Sequence, residues 1–320
     1  MKKKYNIVIV GATGVVGEAM LSILEERNFP VNNIILLASE RSIGKEYVFK
    51  GETLEVQVLN KNSFENVDIA LFSAGSSISK KYVEVAVKSG CIVIDNSSAF
   101  RMNENVPLVI PEINPQTLAN HKGIIANPNC TTIVTLMALN PINKFSKIKK
   151  IITSSYQAVS GAGQEGMDEL REQNKAIING KEPIVKYFSH QIVNNLIPKI
   201  DNIADNGYTR EEMKMLNETQ KIFNDNEIKV SATCVRVPIY TAHSIAITIE
   251  TKAKITIDKA RELFKNSKGI DLLDEPEKDI YPMPVFAEGK DNCSVGRIRE
   301  DLVFENGLSL WVSGDQVRKG

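Results

Sequence analysis

The feature that most constrains the fold of this chain is a strand, a glycine-rich turn and a helix close to residue 5. Tyr5 to Val10 is a β-branched run that predicts a strand, and Glu18 to Arg27 has the apolar spacing of a helix. Between them lie Gly11, Gly14 and Gly17, three residues apart. Glycines let the backbone approach a pyrophosphate, which the N–H groups at the helix start then bind. A plain tight turn is the alternative, but the flanking elements favour a dinucleotide-binding fold.

The segment after the second predicted strand, Ile34 to Ala38, indicates which dinucleotide is bound. An NAD enzyme commonly places an acidic residue on the adenosine ribose here, and Glu40 could serve that role. Arg41 beside Ser42 suits a 2′-phosphate better, because a guanidinium binds phosphate through two parallel hydrogen bonds. We therefore expect NADP rather than NAD, and a solvated turn arginine is the alternative.

Three further strands are predicted in the first half of the chain, at Val67 to Ser73, Cys91 to Ile94 and Gly123 to Asn127. Together with a helix at Ile78 to Ser89 they predict an open parallel sheet. Small polar residues follow these strands, and ligands bind at the carboxyl edge of such a sheet. Arg101 follows the fourth strand and could bind an anion there, or it could be a surface residue.

Pro128-Asn129-Cys130 follows the last of these strands, and the apolar run from Ile133 to Leu139 predicts a buried helix. Cys130 is thus expected at a helix start, where unpaired N–H groups and the helix dipole favour a thiolate over a thiol. The thiolate is the nucleophilic form. A lone cysteine is more often a small buried apolar residue, so the role of Cys130 depends on its partners.

From about residue 147 the pattern changes to that of a second domain. Long adjacent strands are predicted at Ile148 to Val159, Ile228 to Val237 and Ile245 to Thr251, with a helix at Gln164 to Asn179. The segment 181–200 has no clear period. Such strands predict a mixed, largely antiparallel sheet that can present a flat face to a partner subunit.

Several candidate site residues lie on these later elements. Gln157 precedes a glycine-rich turn, and Glu211 and Lys214 share one face of a helix expected to start at Thr209. That pair could equally be an ordinary surface ion pair. Arg236 and His243 bracket a short connection between two strands, although a lone histidine is usually structural.

Composition excludes several classes of function. The 320 residues contain 39 Lys and Arg and 39 Asp and Glu, so no excess of charge points to nucleic acid or to an anionic membrane. Four separated cysteines without a CxxC pair fit a reducing compartment and argue against structural zinc. No apolar run is long enough for a signal peptide or a membrane span, so we expect a soluble cytoplasmic protein with a small-molecule substrate and no metal.

The order of these motifs resembles the aspartate-β-semialdehyde dehydrogenase family, and the resemblance runs from Tyr5 to Lys319. It rests on the glycine turn, Pro-Asn-Cys-Thr-Thr at 128–132, Gln157 before Ser-Gly-Ala-Gly, Glu-Glu-Met-Lys at 211–214, and Arg236-Val-Pro with His243-Ser. Related families differ at the cysteine. N-acetyl-glutamyl-phosphate reductase usually has Pro-Gly-Cys-Tyr, and glyceraldehyde-3-phosphate dehydrogenase has Ser-Cys-Thr-Thr-Asn-Cys.

The resemblance implies a role for each candidate residue. Cys130 would be the nucleophile and His243 the general acid/base. The groups that would bind the substrate are Gln157 at the acyl group, Arg236 at the carboxylate and Glu211 at the amino group, while Arg101 and Lys214 would bind inorganic phosphate. Those expected at NADP are Gly11, Thr13, Gly14, Val15, Val16, Arg41, Ser42, Ser160, Gly161 and Gln316.

The chemistry of this family requires such groups. When a thiolate adds to an aldehyde, the hemithioacetal oxygen must lose a proton as hydride leaves for the nicotinamide, which calls for an imidazole that titrates near neutrality. Phosphate then attacks the thioester, and two cations can bind and orient that anion.

The resemblance also implies the architecture and the function. An NADP-binding Rossmann-like domain with a parallel sheet would span 1–129 and be completed by the segment from about 314. An α+β catalytic and dimerisation domain would span 130–313, and the protein would be a homo-oligomer, at least a dimer. The expected reaction interconverts L-aspartyl 4-phosphate and L-aspartate 4-semialdehyde in lysine, threonine and methionine biosynthesis.

The alternative is a non-catalytic, dinucleotide-binding regulatory protein on the same fold. A missing nucleophile or base would support it, and neither is missing. Members of the family commonly continue past Gly320 into an alanine-rich helix, so we expect a chain without that helix to hold its first domain and the Gln316 contact less firmly.

Overall fold

A computed structural model describes residues 3–320, and contacts within the chain divide it into two units, 1–128 and 129–320. Each unit contains one β-sheet with helices packed on it. The part of the chain that the structure describes has no helix long and apolar enough to cross a membrane.

The first unit is built on a seven-stranded sheet with the order β3-β4-β2-β1-β5-β6-β7. Every neighbouring pair is parallel except the β3–β4 hairpin. Its elements are β1 (Tyr5–Val10), α1 (Val15–Glu26), β2 (Val31–Ala38), β3 (Glu46–Phe49), β4 (Glu52–Val58), β5 (Ile69–Phe72), α2 (Ser76–Lys88), β6 (Ile92–Asp95) and β7 (Ile124–Ala126).

Both faces of this sheet are buried. Val8 and Val10 of β1 pack in one core cluster with Phe72, whereas Ile7 and Ile9 belong to a cluster on the opposite face. A strand buried on both sides needs a continuous apolar run, which explains why β1 does not alternate with polar residues. The predicted parallel sheet is confirmed.

The second unit is built on a six-stranded mixed sheet with the order β11-β12-β13-β10-β8-β9. The β11–β12 and β8–β9 pairs are parallel, and the other three are antiparallel, so the predicted mixed, largely antiparallel sheet is confirmed. Its elements are α3 (Cys130–Phe145), β8 (Ile148–Gln157), α4 (Gln164–Ile178), α5 (Arg210–Phe223), β9 (Lys229–Arg236), β10 (His243–Thr251), α6 (Ile257–Lys265), β11 (Ile270–Leu272), α7 (Pro284–Ala287), β12 (Cys293–Glu300) and β13 (Gly307–Gly314).

Helix α3 is the core of the second unit. Almost all of its residues from Thr131 to Asn143 are buried, and the helix packs against β8, β10, β12 and β13. A helix that is apolar on most sides is stable only when it is enclosed in this way. Because α3 is held from several directions, its first residue, Cys130, has a well-defined position.

The segment 181–200 contains no helix or strand, as its lack of a clear period indicated. Two side chains of α4 hold it by its backbone. The Glu169 carboxylate accepts hydrogen bonds from the N–H groups of 186–188, and Oε1 of Gln173 accepts from Ile192 and Val193, each at 3.0 Å. Buried backbone groups must find partners, and α4 supplies them here.

Candidate active site

Cys130 is the first residue of α3, as predicted. Oδ1 of Asn129 caps the helix by accepting hydrogen bonds from the N–H groups of Thr131 at 2.9 Å and Thr132 at 3.2 Å. The Cys130 thiol is partly exposed, and its Sγ lies 3.5 Å from Nε2 of His243. The positive end of the helix dipole favours negative charge on that sulfur.

His243 begins β10 and is completely buried. Its Nδ1 accepts a hydrogen bond from the N–H of Ala158 at 3.1 Å, so a neutral ring carries its proton on Nε2, the nitrogen that faces Cys130. Burial, together with the nearby charge of Arg236, lowers the pKa of His243 well below its usual value. This shift runs against the expectation of an imidazole that titrates near neutrality.

The sheet explains how residues so distant in sequence meet. Strands β8 and β9 are parallel and in register, so their last residues, Gln157 and Arg236, lie side by side. Strand β10 runs antiparallel to β8 and pairs Ser244 with Tyr156, so its first residue, His243, lies at the same edge. The ends of two strands and the start of a third thus assemble one site.

Gln157 and Arg236 are both buried, with 2% and 6% of their surface exposed. Nε2 of Gln157 donates to Oγ of Ser155 at 3.2 Å and, more weakly, to Oε1 of Glu211 at 3.4 Å. Nη1 of Arg236 donates to the carbonyl of Ala158 at 2.6 Å. Burial lowers the pKa of Arg236 while the charge of Glu211 opposes that effect, and an arginine at neutral pH keeps its proton.

Glu211 and Lys214 do form an ion pair, at 2.9 Å, but it is not an ordinary surface pair. Glu211 is only 6% exposed and also accepts a hydrogen bond from Nδ2 of Asn129 at 2.8 Å. Burial would raise the pKa of Glu211, but the Lys214 ammonium and these hydrogen bonds outweigh it and lower the pKa. Lys214 also pairs with Asp201, at 3.1 Å.

Glu218 was not predicted as a site residue. Its Oε2 accepts a hydrogen bond from the backbone N–H of Asn129 at 2.6 Å, and the residue is 1% exposed. Glu211 and Glu218 are seven residues apart on α5 and therefore share a helix face. That spacing was the signal in the sequence, and both carboxylates bind the residue that precedes Cys130.

A short turn after β8, Val159–Ala162, contains Ser160 and Gly161. A Cβ at Gly161 would lie 3.0 Å from Nη1 of Arg236 and 3.2 Å from Cε1 of His243, so glycine leaves space beside both side chains. Nε2 of Gln316 donates to Oγ of Ser160. Within the described residues, Oε1 of Gln316 is buried without a hydrogen-bond partner, which leaves an acceptor for a ligand.

In the first unit, the glycine turn has the geometry that pyrophosphate binding needs. Gly11 has φ +85°, and a Cβ there would lie 2.9 Å from the backbone of Ser73. A Cβ at Gly17 would overlap the carbonyl oxygen of Gly11. Gly14 caps α1 without any side-chain hydrogen bond, so the N–H groups of Val15 and Val16 open the helix beneath a turn that can accept an anion.

Two further residues expected at the cofactor, Thr13 and Ser42, are in contact beside this turn. Thr13 Oγ1 and Ser42 Oγ are 3.2 Å apart, so the glycine turn is joined to the short 3-10 helix Glu40–Ser42. Arg41 and Glu40 are both exposed there. The position of Arg41 fits either a bound 2′-phosphate or a solvated turn.

Arg101 is 7% exposed, so the alternative of a surface arginine is wrong. Its Nη2 donates to the carbonyl of Asn96, just after β6, at 2.9 Å. The guanidinium is therefore held at the carboxyl edge of the first sheet, where the sequence placed a candidate anion site.

Two other cysteines are far less reactive by their surroundings. Burial raises the pKa of Cys234 to about 12 and that of Cys91 to about 11. Neither can supply a thiolate near neutral pH. Cys130, at a helix start and beside an imidazole, is in a different setting from both.

Comparisons with known proteins show which family this chain resembles. Residues 6–121 match the family model described as "Semialdehyde dehydrogenase, NAD binding domain", and residues 139–319 match "Semialdehyde dehydrogenase, dimerisation domain". The chain is 53% identical to aspartate-semialdehyde dehydrogenase of Aquifex aeolicus over 99% of this chain and 94% of that protein. It is 50% identical to the Bacillus subtilis enzyme of the same name, over 100% and 95%.

A solved structure, aspartate semialdehyde dehydrogenase II of Vibrio cholerae complexed with ASA, superposes with a TM-score of 0.97. It is 47% identical and covers 100% of this chain and 95% of that one. Identity of this extent over the full length, together with a thiol at a helix start 3.5 Å from an imidazole, shows that the chain belongs to the aspartate-semialdehyde dehydrogenase family of oxidoreductases.

Proposed function

We propose that the protein catalyses the reversible, NADP-dependent reductive dephosphorylation of L-aspartyl 4-phosphate to L-aspartate 4-semialdehyde. The observation that carries the proposal is the pair formed by Cys130 Sγ and His243 Nε2, 3.5 Å apart, with a buried arginine and a buried carboxylate around it. The relatives are enzymes by name, which argues against a non-catalytic regulatory protein. We place the reaction in lysine, threonine and methionine biosynthesis.

Cys130 is the nucleophile of the proposal. Its thiolate adds to the aldehyde carbon, and hydride loss from the hemithioacetal leaves a thioester on sulfur. His243 is the acid/base group, because its Nε2 lies 3.5 Å from Sγ and so within reach of an oxygen on the carbon that the sulfur attacks. Gln157 orients the acyl group, since its buried amide lies at the same sheet edge.

The charges of the site suit an amino-acid substrate. Arg236 is a planar cation that can bind the substrate carboxylate through two hydrogen bonds. Glu211, which stays ionised, can bind the substrate amino group. Lys214 and Arg101 are the proposed ligands of inorganic phosphate, each in its own unit. Lys214 would share its ammonium between phosphate and the carboxylates that it pairs with now.

The cofactor supplies the hydride acceptor when it is bound, and the residues present fit NADP. In the first unit, the uncapped start of α1 and the glycine turn suit the pyrophosphate, and Arg41 with Ser42 suits a 2′-phosphate. In the second unit, the orphan Oε1 of Gln316 beside Ser160 and Gly161 suits an amide donor. The complete proposed set is Gly11, Thr13, Gly14, Val15, Val16, Arg41, Ser42, Ser160, Gly161 and Gln316.

We assign cofactor binding to residues 1–129 with the segment from about 314, and catalysis and dimerisation to 130–313. The family model over 139–319 is named for dimerisation, which supports at least a dimer. A cytoplasmic location is proposed because the four cysteines are widely separated in sequence without a CxxC pair, and the relatives are named as dehydrogenases.

The test is formation of NADPH from aspartate semialdehyde and NADP, followed by absorbance with and without inorganic phosphate. The wild-type protein should depend on phosphate, and Cys130→Ser should lose at least about a thousandfold in rate. Cys91→Ala removes a buried thiol from the first unit and should keep a rate near the wild-type value. No phosphate-dependent activity in the wild type, or an active Cys130→Ser, would refute the proposal.

A further inference from the structure

Arg236 and His243 are held by the same residue of the turn after β8. Nη1 of Arg236 donates to the carbonyl of Ala158 at 2.6 Å, and the N–H of Ala158 donates to Nδ1 of His243 at 3.1 Å. A point beside Gly161 lies 3.0 Å from Nη1 and 3.2 Å from Cε1 of the imidazole. The guanidinium and the imidazole are therefore close neighbours in a buried site.

Other charged or titratable groups around this pair come from several elements, and Cys234 of β9, beside Arg236, is one of them. Cys130 approaches Nε2 of His243 from α3, and Glu211 of α5 acts on Arg236. Tyr187 approaches Arg236 from the segment 181–200. Asp315 follows Gly314, the residue that pairs with His243, but its carboxylate accepts from the N–H groups of Gly289, Val317 and Arg318. Arg236 is the cation that acts on the imidazole.

We propose that Arg236 is the residue through which the substrate carboxylate controls the proton on His243. The inference rests on the proposed function, in which Arg236 binds that carboxylate. Without substrate, burial and the positive charge of Arg236 both disfavour an imidazolium. A carboxylate paired with the guanidinium cancels much of that charge in a site of low dielectric, so the imidazolium becomes easier to form.

The backbone contacts act in the same direction. The second proton of an imidazolium would enter at Nδ1, which now faces the N–H of Ala158. The carbonyl of Ala158 is held by Arg236. A guanidinium that turns toward a bound carboxylate weakens its hydrogen bond to the Ala158 carbonyl. The N–H of Ala158 can then move away from the imidazole ring.

The consequence is that binding of the substrate itself favours the protonated form of His243, which is the acid of the reaction. A charged imidazole is a stronger hydrogen-bond donor to a sulfur anion or a developing oxyanion than a neutral one. An aldehyde without a carboxylate should therefore lose turnover as well as affinity. Propanal, which lacks that group, should show a lower kcat in addition to a higher KM.

The direct test is an NMR titration of the holoprotein labelled with ¹³C at histidine Cε1. The chain has three histidines, so His121 and His190 serve as internal references. The probe is L-2-aminobutyrate, which carries the α-carboxylate and α-amino groups but no aldehyde and no second anion. Saturation with the probe in a phosphate-free buffer should move the titration midpoint of His243 to higher pH and leave the references in place.

A matched probe distinguishes the effect of the carboxylate charge from the effect of merely occupying the substrate site. 2-Amino-1-butanol has a hydroxymethyl group in place of the carboxylate and should leave the His243 midpoint unchanged. If L-2-aminobutyrate is shown to bind by calorimetry and the midpoint stays where it was, the coupling does not exist. That outcome would leave the phosphate-dependent assay, and so the proposed function, untouched.

Two variants identify Arg236 as the link. Arg236→Leu should raise the His243 midpoint without any probe and abolish the response to L-2-aminobutyrate, whereas Arg236→Lys keeps a cation and should keep a low midpoint. If the leucine variant does not fold, the wild type still tests the coupling through reciprocity. L-2-aminobutyrate should bind about fivefold or more tightly at low pH than at high pH, and an affinity independent of pH would overturn the inference.

Discussion

Glu211 carries its negative charge in a place where burial alone would raise its pKa. The Lys214 ammonium at 2.9 Å and hydrogen bonds from Asn129 and Gln157 keep it ionised. The same carboxylate can then attract a substrate amino group at neutral pH. One ion pair thus serves the fold and the proposed recognition of the substrate.

Replacing Lys214 by methionine tests this balance. In the wild type, the lowered pKa of Glu211 stabilises the fold at any pH above the pKa of a glutamate in the unfolded chain. This contribution is lost as the pH falls through the pKa of Glu211 in the folded protein. Without the ammonium, burial raises that pKa. The variant should lose roughly 1–3 kcal/mol at pH 7 and less at pH 5, where Glu211 can take up a proton.

Urea unfolding at the two pH values measures this difference. Lys278→Met is the matched control, because Lys278 pairs with Glu275 three residues away but both side chains are exposed. The control should leave the stability nearly unchanged at both pH values, because an exposed ion pair contributes little. A Lys214→Met loss that is equal at both pH values would show that Glu211 does not titrate as the structure requires.

Several site residues could be recognised from their own chemistry and spacing. Cys130, Arg236 and His243 are scarce residue types beside turns, and the structure brings all three together. The groups that hydrogen-bond to Arg236 and His243 could not be predicted in the same way. The N–H and carbonyl of Ala158 are backbone groups that every residue except proline carries, so nothing in the sequence marks them.

At the scale of elements, the start of α3 shows how much a helix cap can position. Asn129 caps the helix with Oδ1, while its Nδ2 donates to Glu211 and its N–H to Glu218. The residue next to the nucleophile is thus fixed by three separate hydrogen-bonding groups. Asn129→Ala would remove two of them and leave the N–H.

Asn129→Ala should lower both stability and activity. Loss of a helix cap costs about 1 kcal/mol, and a small displacement of Cys130 should reduce kcat/KM by roughly 10- to 100-fold. Thr256→Ala is the control, because Thr256 caps α6 through the N–H of Lys259 but does not contact Cys130. The two variants should lose similar stability, but only Asn129→Ala should lose much activity. An equal loss of activity in Thr256→Ala would contradict the positioning role of Asn129.

The boundaries of elements were predicted less well than their existence. Helix α1 begins at Val15 rather than Glu18, and α3 extends from Cys130 to Phe145 rather than from Ile133 to Leu139. Both helices start inside the motif that precedes them, because the glycine turn and the Asn129 cap lead directly into helical backbone. Apolar periodicity begins later than the helix and so marks its start late.

The β3–β4 hairpin was not predicted, and neither were the short elements β11 and α7. The turn of the hairpin is Lys50-Gly51, and both residues have positive φ. A two-residue turn of this kind usually contains Asn-Gly or Asp-Gly. With lysine at its first position, the sequence lacks the pattern by which such a hairpin is recognised. β11 and α7 have three and four residues, which is too short for periodicity to be measured.

For the whole molecule, the second sheet has one face packed against helices and one face with exposed side chains. Ile152 is 48% exposed on that second face. A groove of about 300 Å³ is lined by Ala246 of β10 and Trp311 of β13, together with Tyr281 and Met283, among others. Exposed apolar surface on a flat sheet suits a second copy of the chain. The matching family model is named for dimerisation.

A charge on this face should weaken the dimer. Ile152→Glu is expected to raise the dimer dissociation constant by at least about tenfold, because a glutamate would have to be desolvated in the interface. Val48→Glu places the same charge on a more exposed valine of β3, in the first unit, and should leave the dimer intact. Analytical ultracentrifugation of both variants measures this, and a stable Ile152→Glu dimer would place the interface elsewhere.

The pairing of Cys130 with His243 across 113 residues also determines when the thiol acquires its partner. At about 5–20 residues per second, a ribosome needs on the order of ten seconds to extend the chain from the cysteine to the histidine. During that interval α3 can form locally, but β10 does not yet exist. For about a third of its synthesis, the nascent chain therefore carries Cys130 without its imidazole partner, and only formation of the second sheet brings the two together.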